Sequence, residues 1–227
     1  MGRPQGARSE GYESRRREIL QRLTLRLSER DAMHASYRDL AEAAEVSIST
    51  LQHYFGRRAD IVTAVLVEAH TLAEPFLAQM SQPSGPFETS IRDALNYLRM
   101  GFERFGLDDL YALGFAEGLR NREIGPVFLE QVLEPSTSAI TERLAEHQRR
   151  GEMLPDEDAR TAAHLLLSPM LVLFLHQKDL GGSKKYPADI DSAVELHARA
   201  FVMAHQRIQT EAKSERSAPQ RTKRMSQ

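Results

Sequence analysis

The sequence predicts an all-α protein. Apolar residues recur every three or four positions from about Ser14 to Ile208. No stretch keeps the period-two alternation of a strand, and no internal repeat is visible. Gly, Pro and Ser breaks cut the pattern into helix-sized lengths.

Residues 1–12 carry little apolar content and read as a flexible basic arm. From Ser14 to Arg30, Ile19, Leu20, Leu23 and Leu27 line one face of a first helix, with Leu25 beside them. Asp31–Ala35 breaks the pattern. Ser36 can cap a second helix, Tyr37–Ala44, with Asp39 at the capping-box position. Ser47 can cap a third, Ile48–Tyr54, which Gly56 ends as a residue tolerant of positive φ. A fourth helix runs from Asp60 to Ala73, and Pro75 should stop or kink it.

After the loop Gln82–Pro86, Ile91, Leu95, Leu98, Phe102 and Phe105 line the next helix, and a shorter one covers Leu107–Leu119. Gly125-Pro126 opens a long helix that Pro135 should kink and Gly151 should end. The last two helices, Asp156–Gln177 and Ile190–Ile208, flank a Gly181-Gly182 loop. Residues 209–227, rich in Lys, Arg, Ser and Gln, have the composition of a disordered tail.

The 227 residues leave room for one large domain or two modest ones, and 41% hydrophobic with 27% charged residues fits a globular core. Absence of Cys excludes disulfides and thiolate metal sites. The N-terminus lacks the apolar stretch of a secretory signal. The run Leu165–Leu175, broken by Ser168 and Pro169, is too short to span a bilayer, so a cytoplasmic location is expected. The net charge of −2 hides an uneven distribution. Residues 1–30 hold eight Arg against four Glu, and residues 211–227 hold five Lys or Arg against two Glu. Such ends can meet phosphate despite an acidic body, because only the field within a Debye length of roughly 8 Å counts.

The clearest chemistry lies in Ser36–Phe55. Leu40, Ala41, Ala44, Val46 and Leu51 form a small apolar clamp between two short helices. Ser47, Ser49, Thr50, Gln52, His53 and Tyr54 crowd hydrogen-bonding groups onto and around the second of them. A buried hairpin would leave those groups without partners. An exposed helix that enters a DNA major groove uses them all.

In order and spacing these parts resemble the tetracycline-repressor (TetR) family of bacterial transcription regulators, by motif over residues 15–65 and by architecture beyond. Arg17-Glu18-Ile19-Leu20 matches the family's first helix, and Asp39-Leu40-Ala41 its aspartate-isoleucine-alanine signature. Ala44-Glu45-Val46-Ser47 matches the turn. Thr50-Leu51, His53-Tyr54-Phe55 and Arg58 match the recognition helix and its exit. The resemblance implies an N-terminal helix-turn-helix DNA-binding domain over 13–60, with its motif at 36–55, and a C-terminal helical bundle over 61–208 for ligand binding and dimerisation. It implies a non-enzymatic regulator without cofactor: a homodimeric repressor on a palindromic operator, released by a small-molecule effector.

Four positions depart from the family. Glu45 stands where Gly is usual, so positive φ there must be strained or altered. Asp31 also replaces a Gly, Leu27 an aromatic residue, and Gln52 a Tyr. Gln52 can pair bidentately with adenine, which points to an operator preference of this chain's own.

The expected DNA contacts are therefore Ser36, Arg38, Ser47, Ser49 and Thr50, together with Gln52, His53, Tyr54 and Arg58. Ser36 should meet phosphate through its hydroxyl or backbone N–H, and Arg58 and Tyr54 should meet phosphate as well. Gly2-Arg3-Pro4 with Arg8 could reach a minor groove or remain a solvated tail. Arg15–Arg17 suit either phosphate or solvent.

In the bundle, Leu98, Phe102, Tyr111, Phe115, Phe128 and Met170 are the residues expected to line the family's effector cavity, and they favour an apolar effector. His197 and His205 share a helix face, but two imidazoles without a third ligand at fixed spacing do not make a metal site. The wide apolar faces of the last two helices, Leu173 and Phe201 among them, should pair with their symmetry mates. The competing reading is a helical small-molecule-binding protein or enzyme whose hairpin is incidental. No Gly-rich phosphate loop, GxSxG, HExxH or Cys nucleophile supports it.

Overall fold

A computed structural model describes residues 5–29 and 34–207, with side chains from Gly11 onward. The Gly2-Arg3-Pro4 segment, the side chain of Arg8, Asp31 and the 209–227 tail lie outside the described residues. Among those described, the fold is all-α, and the one β feature is an isolated bridge between Met153 and Gln206.

The N-terminal unit comprises α1 (Gln5–Leu27), α2 (Tyr37–Ala43) and α3 (Ile48–Phe55). Ile19, Leu20, Leu23 and Leu27 are buried as their spacing predicts, against Leu40, Ala44 and Leu51. The start of α1 corrects the sequence reading: residues 5–12 are helical, not an arm. Tyr12 lies two turns ahead of Ile19 and continues the same face.

Next comes α4 (Arg58–Met80), whose first turns bury Ile61, Val62 and Val65 under the N-terminal unit. The expected boundary at 60/61 thus falls inside the first turn of one continuous helix, which passes Pro75 without stopping. Pro75 and Thr71 are both exposed, so the carbonyl that the proline leaves without an N–H can turn to water.

The bundle continues with α5 (Phe87–Arg104), α6 (Leu107–Gly118), α7 (Ile124–Phe128) and a π-helical turn at Leu129–Leu133. It ends with α8 (Glu134–Arg149), α9 (Ala159–Lys178), the short α10 (Gly182–Lys185) and α11 (Ile190–His205). The π turn is how the long helix accommodates Pro135. The Glu134 N–H bonds back to the Leu129 carbonyl, and the widened turn makes room for a residue with no N–H to place.

Two features lock the bundle. Arg143, only 4% exposed, reaches from α8 to the end of α4 and the start of α5. It donates to the carbonyls of Gln79, Met80 and Ser90 and to the Ser90 hydroxyl. At Gly114 on α6 the ring of Phe128 lies so close that an added Cβ would sit 2.1 Å from it.

Helices α4 and α9 are each long and apolar enough, by length and composition alone, to cross a bilayer. Each buries one face in this bundle. On α9 the opposite face carries Leu165 and Val172, and beside it α11 exposes Leu196 and Met203. Phe201, expected on an outward face, is buried against Phe87 and His205.

Candidate DNA-reading head and effector cavities

Helix α2 begins with a complete capping box. Ser36 Oγ accepts from the Asp39 N–H at 3.2 Å, and the Asp39 carboxylate accepts from the Ser36 N–H at 2.7 Å. Those bonds from Ser36 hold the Asp39 carboxyl below its usual range. The box uses the Ser36 backbone N–H, so only its hydroxyl hydrogen is left to offer a phosphate. Arg38, one residue into the helix, is exposed.

The turn shows the strain that its sequence predicts. Glu45 has φ 54°, the one positive value among the described non-glycine residues. Such a conformation costs an L-residue about 1–2 kcal/mol. Arg22 of α1 holds the turn by donating to the Ala44 carbonyl at 3.2 Å and to the Glu45 carboxylate at 2.7 Å. Because that ion pair is exposed, it offsets only part of the strain. Glu45→Gly should therefore raise stability by about 0.5–1 kcal/mol in urea melts. A loss would show that the Arg22 bridge outweighs the backbone term.

Ser47 caps α3 by accepting from the Thr50 N–H at 3.0 Å, and its hydroxyl lies 2.9 Å from Ser49 Oγ and 2.7 Å from Thr50 Oγ1. Leu51 and Phe55 are buried, which leaves Ser47, Ser49, Gln52 and His53 exposed, with Thr50 and Tyr54 half-buried. Tyr12 stacks on Tyr54 with ring centroids 4.7 Å apart and meets His53 edge-on at 6.0 Å. Arg16 lies over the Phe55 ring at 4.9 Å. The sequence reading missed Tyr12 because it ended the first helix's face at Ile19; the i, i+7 spacing was its signal.

Arg58, expected to meet phosphate, is half-buried and has partners within the chain. It pairs with Glu117 of α6 at 2.7 Å and donates to the Ala35 carbonyl, tying α4 to α6 and to the chain entering α2. Its neighbour Arg57, which the sequence reading passed over, is exposed and pairs with Asp60 and with Glu123 at the start of α7. The Tyr37 hydroxyl closes the same junction on the Gly56 carbonyl at 2.7 Å.

Two cavities open in the bundle. The smaller, about 260 Å³, is lined by four expected effector residues, Leu98, Phe102, Tyr111 and Phe115, and by residues of the π turn, α8 and α9. Burial pushes the Tyr111 phenol above its ordinary pKa. Phe128 and Met170 line neither cavity; they are core, Phe128 because Gly114 admits its ring. The larger cavity, about 760 Å³, lies among α1, α4, α5 and α6. Of the expected effector residues, Leu98 lines it as well; Leu72 and Phe76, four apart on one face of α4, are exposed there and were not among those expected.

The two histidines of α11 have separate partners. His197 Nε2 meets the Leu166 carbonyl, and His205 Nδ1 pairs with Glu157. Asp108, Asp109 and Asp179 bring carboxylates within 4.8 Å of one another, and the Lys178 ammonium pairs with Asp108 at 2.7 Å as their counter-charge.

Known proteins share this architecture. A TetR-family assignment from Mesorhizobium loti has a solved structure that superposes with a TM-score of 0.71 at 18% identity, covering 86% of this chain and 98% of that one. The chain has the TetR-family fold. The transcriptional regulator FadR of Bacillus subtilis, solved with stearoyl-CoA, matches at a TM-score of 0.65 and 15% identity over 82% of this chain and 96% of that one. In sequence, the helix-turn-helix regulator UidR of Escherichia coli is 24% identical over 140 residues, which is 62% of this chain and 69% of UidR. No protein-family model matches the chain.

Proposed function

We propose that the chain is a TetR-type, ligand-responsive transcriptional repressor that binds a palindromic operator as a homodimer and works in the cytoplasm, where the DNA is. One observation carries the reading: α3 is a capped helix, anchored by Leu51 and Phe55, whose outer face is almost wholly hydrogen-bonding groups. In DNA, Ser49, Gln52 and His53 read base edges, while Ser36, Arg38, Ser47, Thr50 and Tyr54 hold phosphates. Arg58 acts from behind. Its pair with Glu117 joins the reading head to α6, which borders both cavities, so an effector that favours one position of α6 also favours one position of α4.

One reading helix covers only a few base pairs, so a two-fold pair of heads supplies affinity and specificity. The exposed stripe of Leu165, Val172, Leu196 and Met203 suits a four-helix seam between two copies.

Selection of bound DNA from a random pool tests this directly. It should enrich a palindrome. Gln52→Ala should relax preference at one base pair per half-site, at a cost of about 1–3 kcal/mol there. An unchanged motif would remove Gln52 from the reading residues, and a pool without enrichment would overturn sequence-specific binding.

A further inference from the structure

We propose that the larger cavity takes a lipophilic cation, with its positive centre against Glu68 and its apolar body on the rings of Phe76, Tyr97 and Phe105. This deepens the function proposed above and rests on it, since the cavity is taken to be an effector site. The charge of the wall is the first observation. Glu68 and Asp109 line the cavity, and no Lys, Arg or His does among the described residues. An acyl-CoA, a carboxylate or a phosphate would bring its negative charge beside Glu68, with no cation in the wall among the described residues to balance it.

Three of the polar wall groups also serve the protein first. The Thr24 hydroxyl donates to the Leu20 carbonyl, Ser28 to Thr24, and Tyr97 to Gln79, which leaves few donors for an anion. Glu68 differs. It is half-buried on α4 and makes no hydrogen bond or ion pair among the described residues. An acid in an apolar wall gains most from a ligand that brings a cation.

The rings supply the second half. Phe76 lies 5.2 Å from Phe105 and 6.2 Å from Tyr97, centroid to centroid, and all three line the cavity. Clustered aromatic faces attract cations and bind flat hydrocarbon or aromatic groups equally well. Glu68 and Phe76 are eight residues apart on one helix, about 12 Å at 1.5 Å per residue, which is the reach of a compact amphiphile.

Tetraphenylphosphonium and tetraphenylborate have nearly the same shape and opposite charge, so they separate charge from greasiness. By calorimetry on the full chain, the phosphonium should bind at least tenfold more tightly than the borate. Glu68→Gln, isosteric and with no partner to lose among the described residues, should weaken phosphonium binding about tenfold and leave borate binding no weaker. Equal affinity for the two probes, no binding of the phosphonium, or indifference to Glu68→Gln would each overturn the inference. Binding of the selected DNA by the unliganded protein is measured alongside. If it persists while the phosphonium fails, the ligand class is wrong and the regulator stands. If it is absent, the regulator reading itself fails.

Discussion

Val172→Glu combined with Met203→Glu should give a folded monomer that binds operator at least about 100-fold more weakly than the parent. Both side chains are well exposed, at 66% and 81%, so the charges leave each protomer's core intact. In a seam between two copies, the same charges would face their symmetry mates across an apolar interface, and burying them unpaired is prohibitive. Separated heads then lose the avidity of a tethered pair, which is worth 10²–10⁴ in typical cases. Light scattering and mobility shift check the two halves of the result. A dimer with unchanged operator affinity would place the seam elsewhere. Phe201 cannot serve in this test, because a charge there would enter the protomer's own core beside Phe87.

Arg143→Met should destabilise the fold by about 2–4 kcal/mol, because buried acceptors left without a donor cost about 1–3 kcal/mol each and some of them can rehydrate. The apolar stem is kept and the guanidinium lost. The carbonyls of Gln79, Met80 and Ser90 and the Ser90 hydroxyl, now served at 2.7–3.3 Å, would lose their charged donor where water has little access. Burial already pushes the Arg143 pKa down from its ordinary value, yet a guanidinium stays protonated at any working pH. Denaturant melts read the loss, and a cost below about 1 kcal/mol would show that the freed carbonyls rehydrate. Arg143→Lys should fall between, since an ammonium keeps the charge but cannot span α4 and α5 as a planar fork does.

Most of the reading head was legible in advance. Ser36 and Ser47 cap as their residue types demand, Asp39 closes the box, and Leu51 and Phe55 turn inward where a period of 3.6 puts them. The positive φ at Glu45 followed from one departure in the turn. These are local features, in which a residue's neighbours within four positions decide the outcome. Of the two outcomes expected at Pro75, a stop or a kink, the stop does not occur. Pro75 costs a hydrogen bond whose carbonyl can turn to solvent, and Pro135 is absorbed by a π turn, so neither ends its helix.

The effector residues were the harder part. Leu98, Phe102, Tyr111 and Phe115 do border a cavity, but Phe128 has the same residue type as two of them and fills core. What separates them is Gly114, fourteen residues before Phe128, and nothing local to Phe128 reveals it.

By itself, then, the sequence determined that this is a helical protein and that Ser36–Phe55 offers a polar helix on an apolar clamp. Both follow from periodicity and capping, which act within a few residues. Only the tertiary structure decided which way the charged and aromatic side chains face. It tied Arg58 to Glu117, brought Tyr12 onto Tyr54, and opened a cavity lined by Glu68 and, among the described residues, by no Lys, Arg or His. Each of those outcomes depends on a partner distant in sequence, and the partner of a long polar or aromatic side chain is fixed by packing rather than by its neighbours in the chain.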